Sequence, residues 1–208
     1  YGLEIGDDVV LVGIAARLYP VKNIETIVRA AHIVKARNSK IKFIIGGDGE
    51  DRKRLESLNA ELGLQDTVYF LGWQDDPNEL MSSIDISVLT SISESFAYSV
   101  LEGARFKKAT ISTNVGGIPD LIEHGVNGYL FEPGDVERFA ELILELAADE
   151  GKRREMGEHL YEKAYAKYSV ENMGRTQMDI YRRILEKKAE AGKRRKHYDA
   201  IISGYYGF

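Results

Sequence analysis

The sequence predicts an α/β fold, a six-stranded parallel sheet with helices on both faces and a helical C-terminal extension. Three observations carry this expectation. Short apolar runs alternate with longer stretches of helical periodicity, the pattern of successive β-α units. The first run, VVLVGIAA at residues 9–16, is continuously apolar, as a strand covered on both sides must be. From Asp135 onward only helical spacing remains. Right-handed crossovers between parallel strands then place helices on both faces.

The elements follow in order. Residues 9–16 form the first strand. Residues 23–35 carry Ile24, Ile27, Val28, Ala31 and Val34 at helical spacing. Residues 41–47 are a strand ending in glycine, and residues 52–62 are helical again. Strands at 67–72 and 85–91 enclose a short helix at 79–83. A helix at 95–106 leads into a strand at 109–114, then a helical turn at 119–122 and a last strand at 128–133. Asp135 and Ser169 are suited to cap helices over 136–148 and 170–187, because each places a side-chain oxygen just before an apolar-periodic stretch. Residues 186–197 (EKKAEAGKRRKH) are highly charged and read as a solvated helix end or a linker. The expected division is the α/β domain with its helical extension at 1–187 and a basic linker segment at 188–208.

Composition removes several function classes. The 208 residues contain no Cys, which excludes a disulfide framework, a thiolate metal site and a cysteine nucleophile. The four histidines, His32, His124, His159 and His197, show no metal-ligand spacing. His124 reads as a surface residue. A formal net charge of −5 disfavours non-specific nucleic-acid binding, which calls for a basic surface. No apolar run reaches the roughly 20 residues needed to span a bilayer. The first ten residues lack the basic-then-apolar pattern of a signal peptide. With no initiator Met and an abrupt end at SGYYGF, both ends look like cuts in a longer protein.

In such sheets ligands bind beyond the carboxyl ends of the strands, at the point where the strand order reverses. The loops after Ala16, Gly46, Gly72, Thr90 and Thr113 are therefore where chemistry is sought. The first, AARLYPVKN, holds Arg17 and Lys22, a fork and a point charge able to clamp a diphosphate or simply to be solvated. The second, GGDGED, is either a phosphate cradle or a tight strand-to-helix turn. Arg52 stands where the third glycine of a full G-x-G-x-x-G would be, and the turn is the better reading. The fourth carries Glu94 just before the expected helix and Glu102 about two turns inside it, spaced so that both could face one cleft. Carboxylates accept bidentate bonds from vicinal hydroxyls such as those of ribose or hexose. Each glutamate also has an ordinary reading, as a helix-start acid and as a solvent-facing residue. The backbone N–H groups from Phe96 to Ser99 would favour an anion at the helix start. After the fifth strand, Gly116 and Gly117 permit a close backbone approach or a tight turn, and Pro119 suits a first helical turn.

Taken in order, these segments resemble a known family. They are Arg17-Leu18 with Lys22-Asn23, the turn glycines Gly47 and Gly49, the strand end Phe70-Leu71-Gly72, and Glu94-Ser95-Phe96 with Glu102 beyond. Asn114 to Asp120 (NVGGIPD) and His124 to Asp135 (HGVNGYLFEPGD) complete the set. The chain is similar, from about Val9 to Tyr181, to the C-terminal donor-binding domain of GT-B glycosyltransferases, specifically the retaining enzymes of glycosyltransferase family 4. That resemblance implies a Rossmann-like domain, one half of a GT-B fold, that transfers a sugar with retention from a UDP- or GDP-linked donor. It also implies no cofactor and no metal. Arg17 and Lys22 would contact the diphosphate, Glu102 the ribose, and Glu94 the transferred sugar. Backbone N–H groups at Phe96, Ala97 and Tyr98 would assist, and Gly72 to Gln74, with Trp73, would border the base. The catalytic set would be Glu94, Arg17 and Lys22.

The implied partners are a nucleotide sugar and an N-terminal acceptor domain of the same protein, not nucleic acid. The implied setting is the cytoplasm, within reach of the inner membrane face, in polysaccharide or glycoconjugate synthesis. Two departures stand out. Ala97 replaces the usual glycine and would narrow the sugar pocket, and Arg105 to Ala109 replaces C-G-K-P, a change of packing. The rival readings are a nucleotide-sugar 2-epimerase of the same fold and a non-catalytic sugar-nucleotide module. Separately, DAIISGYYGF at 199–208 resembles the first strand and glycine loop of polysaccharide pyruvyl transferases.

Overall fold

The computed structural model describes residues 6, 8–95 and 98–206, with side chains described as far as residue 192. The strands are β1 (Val10–Ala15), β2 (Ile41–Gly46), β3 (Val68–Gly72), β4 (Ile86–Leu89), β5 (Ala109–Thr113) and β6 (Tyr129–Phe131). They form one parallel sheet in the order β3-β2-β1-β4-β5-β6. The chain winds outward from β1 to β3, then returns to lay β4 on the other side of β1, where Val12 pairs with Ile86. That reversal opens a crevice at the carboxyl ends of β1 and β4. The expected strands are all present, each trimmed by a residue or more where the apolar run continues into a loop.

The helices are α1 (Ile24–Arg37), α2 (Arg52–Glu61), α3 (Pro77–Ser83), α4 (Tyr98–Arg105), α5 (Ile118–Leu121), α6 (Val136–Ala148), α7 (Glu150–Tyr168) and α8 (Val170–Tyr206). All five apolar positions read from the α1 pattern are buried. α1 packs on α2 and α6, while α3 and α4 pack together against β1, β4 and β5, so both faces are covered. Phe131 of β6 stacks on Phe139 of α6 with ring centroids 4.6 Å apart. The capping expectations hold: Asp135 Oδ1 accepts from the Arg138 N–H at 3.0 Å, and Ser169 Oγ from the Asn172 N–H at 3.3 Å. α3 begins earlier than its apolar pattern suggests, because Asp76 caps it and Pro77 occupies its first turn.

The chain divides into two compact units, Tyr1–Ala164 and Tyr165–Phe208. The first contains the whole sheet. In the second, α8 runs unbroken through the charged stretch that read as a helix end or linker, and on to Tyr206. Residues 186–191 are all strong helix formers, and the one glycine that follows, Gly192, costs only about 1 kcal/mol. The backbone at 199–206 is thus helical where the pyruvyl transferase resemblance implied a strand. No helix among the described residues is long and apolar enough to cross a membrane.

Candidate functional site

The site is built from loops that meet at the crevice. After β1 the chain turns through Arg17 to Tyr19 and a 3-10 turn, Pro20–Lys22, then enters α1 through Asn23 in the left-handed region at φ 47°. Asparagine tolerates that conformation better than most side chains, so the residue after Lys22 sets the angle at which loop and helix join.

The glycines of the second loop are explained by close contact. Gly47 has φ 134°, and a β-carbon there would lie 1.8 Å from the Ala16 carbonyl oxygen. At Gly49 it would lie 2.4 Å from the Leu18 carbonyl oxygen. Two of the loop's own donors are already used. The Gly47 N–H donates to Gly72 O at 2.6 Å, and the Gly49 N–H donates to Asp48 Oδ1 at 2.7 Å. That backbone bond, followed by Arg52, holds the Asp48 carboxyl below the usual carboxylate range. The two glycines are thus accounted for by the tight turn of GGDGED.

A cleft of about 190 Å³ opens between these loops. Arg17 from the first loop, Gly47 and Asp48 from the second, Trp73 and Gln74 after β3, and Glu102 from α4 all line it. Gly103 sets α4 down close to the sheet: a β-carbon there would meet Ser87 Oγ at 3.0 Å, and its small size fixes the height of Glu102. Arg17 is exposed, with its guanidinium carbon 5.4 Å from the Tyr19 ring centroid and no carboxylate partner among the described residues. Trp73 is 69% exposed, and its indole N–H donates to Asp75 Oδ1 at 3.1 Å. Gly72 is buried behind Trp73 at φ 74°, where it turns the chain out of β3.

Beside this cleft, on the same first and fourth loops, Lys22 and Glu94 meet. Lys22 Nζ donates to Glu94 Oε1 at 2.5 Å, with the two side chains 23% and 12% exposed. Ser91 Oγ donates to the same oxygen at 2.7 Å. The two loops are also stitched by one side-chain and one backbone bond: the Thr90 hydroxyl donates to Lys22 O at 2.9 Å, and the Ile92 N–H to Val21 O at 2.9 Å. Gly116, at φ 54°, lies directly on this loop, since a β-carbon there would fall 1.6 Å from Glu94 O. Both readings of Gly116, the tight turn and the close approach, apply at once.

The structure therefore brings Arg17, Trp73 and Glu102 onto one cleft and joins Lys22 to Glu94. Tyr98 opens α4 and is 72% exposed. Phe96 and Ala97 lie outside the described residues. Glu94 stands in the loop before α4 and Glu102 on its second turn, as their spacing predicts, but of the two only Glu102 lines the cleft. Glu94 is drawn inward by Lys22 and Ser91, while Glu102 is exposed on the cleft. Sequence reading missed Ser91 and Asp48. Ser91 lies three residues before Glu94, a spacing at which a hydroxyl can reach a carboxylate, and that was the available signal. His124 plays a structural part, since its Nδ1 accepts from the Leu130 N–H at 3.0 Å.

A parallel sheet of this order with helices on both faces is the Rossmann-like architecture found in the domains of GT-B glycosyltransferases. The family model described as "Glycosyl transferases group 1" matches residues 3–163, and the chain belongs to that family. It is 36% identical over 166 residues to the N-acetyl-alpha-D-glucosaminyl L-malate synthase of Bacillus anthracis, covering 79% of this chain and 43% of that one. Among solved structures it is similar to Anabaena HepE in complex with UDP, with TM-score 0.74 and 26% identity over 88% of this chain and 49% of that one. It is also similar to the C-terminal domain of the group 1 glycosyl transferase LpcC from Francisella tularensis, with TM-score 0.71 and 27% identity over 77% of this chain and 87% of that one. The chain spans less than half the length of the curated relatives it matches.

Proposed function

We propose that this domain binds a UDP- or GDP-linked sugar at the crevice and, within the whole protein, transfers the sugar with retention to an acceptor. The observation that carries this reading is the convergence at one strand reversal of an arginine with no carboxylate partner among the described residues, a cleft-lining glutamate and a lysine–glutamate pair. Arg17 and Lys22 would neutralise charge developing on the leaving diphosphate, work that needs preorganised cations. Their positive charge, with the N-terminal end of α4 beginning at Tyr98, would serve where other enzymes use a metal ion. Glu102 would accept the ribose hydroxyls and Glu94 a hydroxyl of the sugar. Backbone N–H groups from Phe96 to Tyr98 would assist. The turn from Gly72 to Gln74 would border the base, with Trp73 as its aromatic wall.

The similarity to a structure solved with UDP supports a nucleotide in this cleft. The named relative, a glucosaminyl L-malate synthase, supports sugar transfer. Because the chain covers under half of such relatives, a second domain of the whole protein would supply the acceptor. Synthesis of a polysaccharide or glycoconjugate in the cytoplasm, near the inner membrane face, is the setting we infer.

The test is calorimetric titration of UDP, GDP, UDP-glucose, UDP-N-acetylglucosamine and GDP-mannose, with and without EDTA. One nucleotide series should bind, and EDTA should not weaken it. Absence of binding throughout the panel would end the donor reading, and binding lost with EDTA would end the metal-free claim.

A further inference from the structure

Glu94 Oε1 accepts two hydrogen bonds, from Lys22 Nζ at 2.5 Å and from Ser91 Oγ at 2.7 Å. Among the described residues Oε2 accepts none. The two donors differ in kind. A lysine ammonium has three protons on a flexible stem and follows its anion wherever it moves. A serine hydroxyl has one proton on a short side chain, and this one is anchored. Ser91 is 0% exposed, and its carbonyl accepts from Thr113 Oγ1 at 2.7 Å. The adjacent Thr90, also 0% exposed, holds the Lys22 carbonyl. Lysine alone would leave the two carboxylate oxygens interchangeable. The serine makes them different.

We infer that Ser91 is a positioning residue for the donor site, resting on the donor-binding reading above. By fixing Oε1, it keeps one oxygen of Glu94 on Lys22 and leaves Oε2 as the acceptor for a hydroxyl of the transferred sugar. Before donor arrives, Glu94 stands in for the diphosphate as the counter-ion of Lys22. When the diphosphate binds, the ammonium's remaining protons reach phosphate oxygens while the carboxylate stays where Ser91 holds it. The diphosphate half of the donor is therefore indifferent to Ser91, and the sugar half depends on it.

The experiment measures two dissociation constants for wild type, Ser91→Ala and Ser91→Cys. The ligands are the diphosphate that binds wild type in the panel above and its tightest sugar derivative. Cysteine keeps the side-chain volume with only a weak donor, so it carries the test if the alanine variant fails to fold. In both variants the Kd for the diphosphate should stay within about twofold of wild type. The Kd for the sugar nucleotide should rise about tenfold, or about 1.4 kcal/mol, near the low end for a hydrogen bond to a charged group. General damage to the pocket would weaken both ligands together, and that outcome overturns the inference. So does a folded variant that binds both as wild type does. A wild-type chain that binds neither ligand removes the donor reading itself, a failure visible before any variant is made.

Discussion

Lys22 and Glu94 lie 72 positions apart in the sequence yet share a 2.5 Å contact. Their individual chemistry was readable, a cation beside a strand end and an acid before a helix. Their pairing was not, because it depends on β4 lying next to β1. If Lys22 stabilises the leaving diphosphate, Lys22→Ala in the full-length enzyme should lower kcat by roughly 10²–10³, as removal of a preorganised charge stabiliser does. Steady-state kinetics check this, and an unchanged kcat/KM would remove the role. The two glutamates should separate by ligand. Glu102→Ala should weaken binding of the bare nucleoside diphosphate about tenfold or more, the cost of losing charge-assisted bonds of roughly 1.5–3 kcal/mol. Glu94→Ala should leave that affinity nearly intact, since it frees Lys22 rather than removing it. Equal losses of nucleotide affinity in both would show that the division is wrong.

At the scale of elements, the loops are held by glycines whose reasons differ. Gly63 and Gly116 both have positive φ, 66° and 54°, but a β-carbon at Gly63 meets open space while one at Gly116 falls on Glu94 O. Gly63 follows the end of α2, where a left-handed glycine closes a helix. Gly63→Ala should therefore cost about 1 kcal/mol, the left-handed penalty alone. Gly116→Ala should cost more than about 2 kcal/mol, because it adds a backbone collision to that penalty. For a domain of this size each kcal/mol lowers Tm by about 2–4 °C, so thermal melts will resolve the two. Gly116→Ala should also weaken sugar-nucleotide binding by displacing the Glu94 loop, while Gly63→Ala should not. If both variants melt together and bind alike, the close packing of loop five on loop four is not what positions Glu94. Helix boundaries were legible where side chains cap them, as at Asp135 and Ser169. They were less so at α3, where Asp76 and Pro77 precede the apolar pattern. The charged continuation of α8 reads equally as a linker, since its polar residues favour a helix and solvent alike.

For the whole molecule, the compact unit ends at Ala164, and α8 carries exposed Met173, Met178 and Tyr181. If the acceptor is bound by another domain, residues 1–208 alone should transfer sugar to the natural acceptor at well under a hundredth of the full-length rate. Orienting donor against acceptor is worth up to roughly 7–11 kcal/mol, and a missing wall forfeits much of that. A coupled assay on both forms tests it. Equal rates would mean that this chain holds both sites, whereas slow hydrolysis of donor by water would be compatible with a missing acceptor site.

The sequence by itself determined the class of fold, the strands, most helices and the identities of the charged residues in the loops. It could do so because apolar periodicity and capping are local properties of neighbouring residues, and burial of an apolar face leaves its period in the chain. It also marked Gly47 and Gly116 as turn positions. Only the tertiary structure decided that β4 returns to the far side of β1, and the site follows from that choice. It set Arg17 and Glu102 across one cleft and closed Lys22 onto Glu94. It placed the buried hydroxyl of Ser91 on one carboxylate oxygen. The physical reason is that hydrogen bonds and ion pairs between distant segments are fixed by strand order and backbone approach, and neither leaves a periodic trace in the amino-acid sequence.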